Sequence, residues 1–316
     1  MKVIFMGTPD FAVGALENIV KAGHDVVLCV TQPDKPKGRG KELSMPPVKE
    51  CALKHNIPVF QPVKIRLPES VAELKKYDAD VFVVAAFGQI LTKEILDMPK
   101  YGCVNIHASL LPEYKGAAPI QWVILNGEKK TGVTVMQMDE GLDTGDMIMS
   151  ESIAIEETDT ADSLHDKLSE LGADLIVRAL ADIEAGKAVR TPQPKGDFFY
   201  AKMLKKELGE IDWNKSADEI GRLVRGLYSW PGTYTYLNDK LIKIISVKAE
   251  AGAASGNPGE IAEVTKNEIK VYCADGLVSI ENVQPQGKKA MSVHDFLLGN
   301  KPEKGMKLGR SHIDTV

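Results

Sequence analysis

The 316 residues are 44% hydrophobic and 26% charged, a globular composition with room for two domains and a core that needs no disulfide or metal to hold it. A net charge of −5 excludes a chain that is basic over its whole surface, as a general nucleic-acid binder would be. Cys29, Cys51, Cys103 and Cys273 include no CxxC pair, which sets aside a zinc-ligand pattern and a disulfide framework.

The first 190 residues alternate strand and helix patterns. Lys2–Gly7 is a short apolar run ending in Gly, the mark of a buried parallel strand. A helix is expected over Phe11–Ala22, a strand over Asp25–Thr31, a helix over Pro47–His55, a short strand over Ile57–Phe60 and a helix over Leu67–Tyr77. Asp80–Ala86 and Gly102–His107 are strongly β, and Cys29 and Cys103 lie within apolar runs as buried fillers. This alternation predicts a Rossmann-like, mostly parallel sheet with helices on both faces. Thr131–Met138 and Met147–Ile155 alternate with period two around an acidic, Gly-rich turn and read as a strand pair at the sheet edge. Ala161–Ala185 is a long amphipathic helix closing the domain.

Pro192, Pro194 and Gly196 interrupt the pattern, so residues 190–206 read as a linker between a first domain, 1–189, and a second, 207–316. After a helix over Ala217–Leu227, five short strands separated by Gly, Asn and Pro turns begin at Thr233, Lys240, Gly259, Glu268 and Leu277. They predict a small β-barrel of the oligonucleotide-binding (OB-like) type, a pattern that many barrels share. The start of the chain shows no leader-like segment, and no run of roughly 18 apolar residues follows. The expectation is a cytoplasmic protein without membrane contact.

Asn105 and His107 lie two apart at the end of an apolar strand, hence on one face of the sheet. Open α/β sheets place ligands at such strand ends. A His beside an amide there can hold a carbonyl and move protons; alone, it would read as a capped structural histidine. Ser109, Leu110, Leu111 and Pro112 form the turn that follows. Asp139–Gly145 (DEGLDTG) lacks the regular oxygen-ligand spacing of a calcium loop. Its Asp143, brought against His107, would orient the imidazole. MGTPDFAVG has no GxGxxG and no phosphate-binding Walker loop occurs, which argues against nicotinamide, flavin or ATP chemistry. Residues 31–49 carry five basic and two acidic groups, net +3. This loop is either a solvated basic segment or a footprint for phosphates.

The Asn-x-His, the Ser-Leu-Leu-Pro, Lys115–Gly116 and an Asp 36 residues after the His together resemble the formyltetrahydrofolate-dependent formyltransferases. Further stretches extend the resemblance over nearly the whole chain: MGTPDFAV (Met6–Val13), Gln32–Lys49, AAFGQIL and SWPGTY (Ser229–Tyr234). The resemblance implies direct attack of an amine on a formyl carbon, with 10-formyltetrahydrofolate as co-substrate and no metal. It gives catalytic roles to Asn105, His107 and Asp143. It implies folate binding by Phe87, Gly88, Gln89, Ile90 and Leu91, and by the Ser109–Pro112 turn. The acceptor it implies is initiator methionyl-tRNA, reached by Lys35, Lys37, Arg39 and Lys41, with Arg39 a principal contact. No obligate protein partner is evident. Phe11 would line the pocket for the methionine side chain; as a residue, it reads equally as a core anchor of the first helix. The alternative acceptor is a sugar nucleotide, which would not need the basic loop. Two other readings, a folate-dependent formate-releasing hydrolase and a non-catalytic RNA-binding protein on this fold, are separable by assay.

Overall fold

A computed structural model describes residues 1–37, 42–252 and 255–310. The chain divides into two compact units. The first comprises Met1–Pro119, Lys130–Ala154 and His165–Ala201; the second comprises Ile120–Lys129, Ile155–Leu164 and the chain from Lys202 onward.

The strands of the first unit are β1 (Lys2–Gly7), β2 (Asp25–Val30), a ribbon of β3 (Lys35–Lys37) and β4 (Glu42–Ser44), β5 (Val59–Phe60), β6 (Val81–Ala85), β7 (Cys103–His107), β8 (Lys115–Gly116), β9 (Lys130–Gln137), β10 (Met147–Ala154) and β11 (Tyr200–Ala201). Seven of them form one sheet in the order β10-β9-β7-β6-β1-β2-β5. The pairs from β7 through β5 are parallel, and β9 and β10 add an antiparallel edge. This is the Rossmann-like, mostly parallel sheet that the alternation predicts. All five β6 residues are buried, as a continuous apolar run in a sheet covered on both faces requires.

Register decides which residues share a face. Ile4 pairs with Phe82 and Met6 with Val84, and these align with Cys103 and Asn105. That face carries one apolar cluster, continued by Ile65, Val71, Leu74, Phe87 and Leu91. Val104 and Ile106 point to the opposite face by the two-residue period. There the long helix α6 (Ala161–Glu184) lies against the sheet: a Cβ on Gly172 would stand 2.9 Å from Ile106 Cγ2. Only a residue without a side chain lets the helix come so close to β7.

Helix α1 spans Val13–Lys21, preceded by a 3-10 turn at Asp10–Ala12 where the sequence predicts helix from Phe11. Helices α2 (Pro47–Lys54) and α3 (Pro68–Lys75) each begin with proline in the first turn, where its missing N–H costs nothing. Helix α4 (Lys93–Leu96) is a single turn with no predicted counterpart. Cys29 and Cys103 are buried as expected. Burial, then the neighbouring Cys51, pushes the Cys29 thiol up to about 12, and burial also raises that of Cys103.

Helix α5 (Pro119–Leu125), which apart from Pro119 lies in the second unit, is also unpredicted. Helix α7 (Ala217–Gly226) opens with a capping box in which Ser216 and Glu219 satisfy each other's backbone N–H. Such caps contribute about 1 kcal/mol. Hydrogen bonds from the Ser216 backbone and hydroxyl hold the Glu219 carboxyl below its ordinary range. Ala217, Ile220 and Val224 recur on one stripe and are buried. Against that stripe lies an antiparallel path β12-β13-β16-β15-β14, comprising β12 (Thr233–Leu237), β13 (Lys240–Ala251), β14 (Ile261–Val264), β15 (Ile269–Tyr272) and β16 (Gly276–Pro285). The short β17 (Met291–Ser292) pairs with β16 and leads into α8 (Val293–Leu297). Leu308 bridges to Leu237 and Lys307 to Glu260, so the Lys307–Leu308 segment links the edge strand β12 with the approach to β14. Among the described residues, no helix is long and apolar enough to cross a membrane.

Candidate active site

β7 presents Asn105 half-buried and His107 nearly enclosed, its side chain 7% exposed. The His107 ring lies between two segments that follow it in sequence. Nε2 donates to the carbonyl of Tyr114 at 3.1 Å; a carbonyl only accepts, so that nitrogen carries the proton. Nδ1 faces Asp143 Oδ1 at 3.7 Å. The two atoms become an ion pair whenever Nδ1 is protonated.

The Tyr114 carbonyl is set by the turn after β7. Ser109 Oγ donates to Glu113 O at 2.7 Å, and Glu113 N donates to Leu110 O at 3.2 Å. Thr134 on β9 locks this turn from the sheet: its hydroxyl donates to Ser109 O at 2.7 Å and accepts from Leu111 N at 3.1 Å. Tyr114 takes a left-handed backbone, φ 57°, which aims its carbonyl back at the imidazole. Its N–H donates to Phe199 O at 2.9 Å. Gly116, in the β8–β11 pair, sends its N–H to Asp143 Oδ2 at 2.9 Å.

Asp143 reaches this position on a loop closed at its foot by Gln137 N to Asp146 O and Met138 N to Cys103 O, both 2.8 Å. Asp139 Oδ1 organises the approach, accepting from Gly141 N at 3.0 Å and Thr144 Oγ1 at 2.7 Å. Asp143 itself has φ 53° and a side chain 13% exposed. His107 and Asp143 therefore meet at the carboxyl end of β7, with half-buried Asn105 two residues earlier on the same face of that strand. An amide, an imidazole and a carboxylate there can polarise a carbonyl and relay a proton. Gly116, through its N–H, and Tyr114, through its carbonyl, touch this pair directly, and Thr134 holds the turn behind it; the sequence named Gly116 only within the Lys115–Gly116 motif and did not single out Tyr114 or Thr134. Only the small polar Thr134 within an apolar strand offered a signal.

The segment after β6 turns sharply, with φ 46° at Ala86 and 80° at Gly88. Phe87 and Leu91 are buried in the sheet-face cluster, while Ile90 is 78% exposed. The Phe87 carbonyl accepts from Thr8 Oγ1 and Gln32 Nε2, both at 3.2 Å. The Gln89 side chain is internally engaged, accepting from Ile65 N at 2.6 Å and donating to Pro62 O at 3.1 Å. Leu110 and Pro112 are partly exposed, while Ser109 and Leu111 are buried. Phe11 is buried, with its ring edge-on to His165 at 5.6 Å and its carbonyl accepting from Ser169 Oγ at 2.9 Å.

Of the basic loop, Lys35 is exposed on β3 and the Lys37 backbone pairs with Glu42; Arg39 and Lys41 lie outside the described residues. At the foot of the loop, Lys49 Nζ binds both Asp34 oxygens, at 2.9 and 2.7 Å, and Gln61 Oε1 at 2.8 Å. The Lys49 ammonium, with Gln61, holds the Asp34 carboxyl below its ordinary range. Among the described residues, Glu17, Cys51 and His55 bring metal-ligating atoms within 4.8 Å of one another. Glu17 pairs with Lys21 at 3.5 Å, and burial, then the Glu17 charge, raises the Cys51 thiol. The cluster is a paired carboxylate beside a protonated thiol.

A mostly parallel sheet with polar groups at the carboxyl end of a strand, followed by an antiparallel β unit, gives a two-part α/β-plus-β architecture. Residues 1–180 match the formyl transferase model and residues 203–301 match that of the formyl transferase C-terminal domain. The chain belongs to the formyl transferase family. It is 55% identical over 305 residues to a methionyl-tRNA formyltransferase of Agathobacter rectalis, covering 96% of this chain and 98% of that one. A methionyl-tRNA formyltransferase of Clostridioides difficile is 51% identical over 309 residues, covering 98% and 100%. Among solved structures, an N-formyltransferase from Helicobacter canadensis in complex with folinic acid and dTDP-3-aminofucose aligns with a TM-score of 0.66 and 23% identity, over 90% of this chain and 99% of that one. At that identity the likeness is one of fold.

Proposed function

We propose that this chain transfers the formyl group of 10-formyltetrahydrofolate to the α-amino group of methionine carried by initiator tRNA. The observation that carries the reading is the His107–Asp143 pair at the end of β7, with Asn105 two residues before His107 on the same strand face. The relatives that share about half their residues over nearly the whole chain carry the name of this reaction.

The chemistry needs a new C–N bond to the α-amine and cleavage of the bond to the folate nitrogen. The amine loses one proton and the folate nitrogen gains one, so no oxidant or reductant enters. The Asn105 amide donates to the formyl oxygen as that atom takes up negative charge. His107 Nδ1, the ring nitrogen not committed to the Tyr114 carbonyl, accepts the amine proton and returns it to the departing nitrogen. Asp143 stabilises the imidazolium between those steps. Single groups in such roles are worth about 10²–10⁴-fold in rate. The folate ring lies along Phe87–Leu91 beside the Ser109–Pro112 turn, and Phe11 lines the methionine pocket. Lys35, Lys37, Arg39 and Lys41 meet tRNA phosphates; Lys49 does not, being held by Asp34 and Gln61.

The test offers formyl donor with three acceptors in parallel: methionine charged on initiator tRNA, free methionine and an amino-sugar nucleotide. Product on the charged tRNA alone supports the proposal. Product on the sugar nucleotide instead sinks the tRNA assignment while keeping the chemistry, and formate without acceptor makes the chain a hydrolase. Arg39→Ala raises the apparent KM for tRNA and flattens its salt dependence, leaving the folate KM unchanged.

A further inference from the structure

The interrupted segment after α6 does more than connect. Thr191 and Met147 exchange both backbone hydrogen bonds at 2.8 Å, which docks this segment beside the start of β10. Two residues on, Gln193 Nε2 donates to Asp143 O at 2.9 Å and to Gly145 O at 2.8 Å. Both amide protons are thus spent on the carbonyls that flank the tip of the Asp143 loop. Gln193 Oε1 is buried and accepts from nothing among the described residues.

The nitrogen of this one amide holds both carbonyls at once. Glutamine suits this geometry: it is neutral, and one nitrogen supplies two donors at the end of a three-atom reach. The loop needs such a hold. Asp143 sits at φ 53°, in the left-handed region, which aspartate tolerates better than most residues with a Cβ but which its neighbours must still hold in place. On the other side, Gly145 lies so close to the Gln137 carbonyl that a Cβ would stand 1.7 Å from its oxygen. The loop is therefore pinned between the Gln137 backbone and the Gln193 amide. We infer that Gln193 is a positioning residue: its amide fixes the backbone on either side of Thr144 and thereby keeps the Asp143 carboxylate against His107. This inference rests on the reading of Asn105, His107 and Asp143 as the catalytic set.

Gln193→Met keeps the length of the side chain and removes both donors. It is expected to lower kcat about 10–100-fold, the scale of two neutral hydrogen bonds, with the KM for folate and for charged tRNA changed less than about twofold. Gln193→Asn, an amide one methylene too short, carries the same expectation if the methionine variant does not fold. The decisive measurement is a double-mutant cycle. In an Asp143→Ala background, Gln193→Met should cost less than about twofold, because the group it positions is gone. An undiminished penalty in that background would assign Gln193 a structural role unconnected with Asp143 and overturn the inference. So would a Gln193→Met enzyme with wild-type kcat while Asp143→Ala is inactive. An Asp143→Ala enzyme at full activity would instead sink the catalytic reading on which the inference rests.

Discussion

Thr134 offers the sharpest test of how the site is built. Its side chain is fully buried, and its hydroxyl ties β9 to the turn that aims the Tyr114 carbonyl at His107. Thr134→Val replaces the hydroxyl by a methyl of nearly the same volume, so no cavity opens. What changes is hydrogen bonding. The Ser109 carbonyl loses a donor at 2.7 Å, and the Leu111 N–H loses an acceptor at 3.1 Å. Each buried group left unpaired costs about 1–3 kcal/mol. Relaxation of the turn recovers part of this, giving a net loss of about 2–4 kcal/mol. For a domain of this size that lowers Tm by roughly 2–4 °C per kcal/mol, about 4–16 °C in all. Thr134→Ser keeps the hydroxyl and loses only a methyl, about 1 kcal/mol. Urea denaturation and calorimetry of the two variants read the difference directly. A serine variant less stable than the valine variant, or a valine variant within about 0.5 kcal/mol of wild type, would show that the turn does not depend on this hydroxyl.

His107→Ala and Asp143→Ala should each lower kcat about 10²–10⁴-fold while remaining folded by circular dichroism, and near-wild-type turnover in either would move the site elsewhere. Gly145→Ala places a methyl against the Gln137 carbonyl; overpacking of this kind costs about 1–3 kcal/mol and displaces the Asp143 loop. An alanine variant with unchanged Tm and kcat would refute the tight seat of that loop. Asp34 has a folded-state pKa below its unfolded value because of the Lys49 ammonium. Its stabilising contribution is therefore present above about pH 4 and is lost as pH falls through the lowered folded value. Asp34→Asn should flatten the stability profile in that acid window, whereas a profile parallel to wild type would argue against the pairing.

The sequence by itself determined the alternating sheet. Runs such as KVIFMG and DVFVVAA leave almost no polar face for solvent, so they fold only as strands covered on both sides. The two-residue period placed Asn105 and His107 on a common face at a strand end before any contact was known, and marked residues 131–155 as an edge pair. The short helices at Lys93–Leu96, Pro119–Leu125 and Val293–Leu297 escaped it, because four to seven residues are too few to establish a helical period. The Lys307–Leu308 segment, which bridges to Leu237 and Glu260, carries no strand pattern, since its partners are distant in sequence. Tertiary structure alone decided what surrounds His107. The imidazole meets the Tyr114 carbonyl and the Asp143 carboxylate through backbone at φ 57° and 53°. Tyr114 gives no sign of such a conformation, and Asp143 only the general tolerance of aspartate for it; contacts with Thr134, Gly116 and Phe199 set it, on segments that only the folded sheet brings together. Local periodicity fixes which way a side chain points, but which group it then meets depends on loops whose conformation is set by long-range hydrogen bonds.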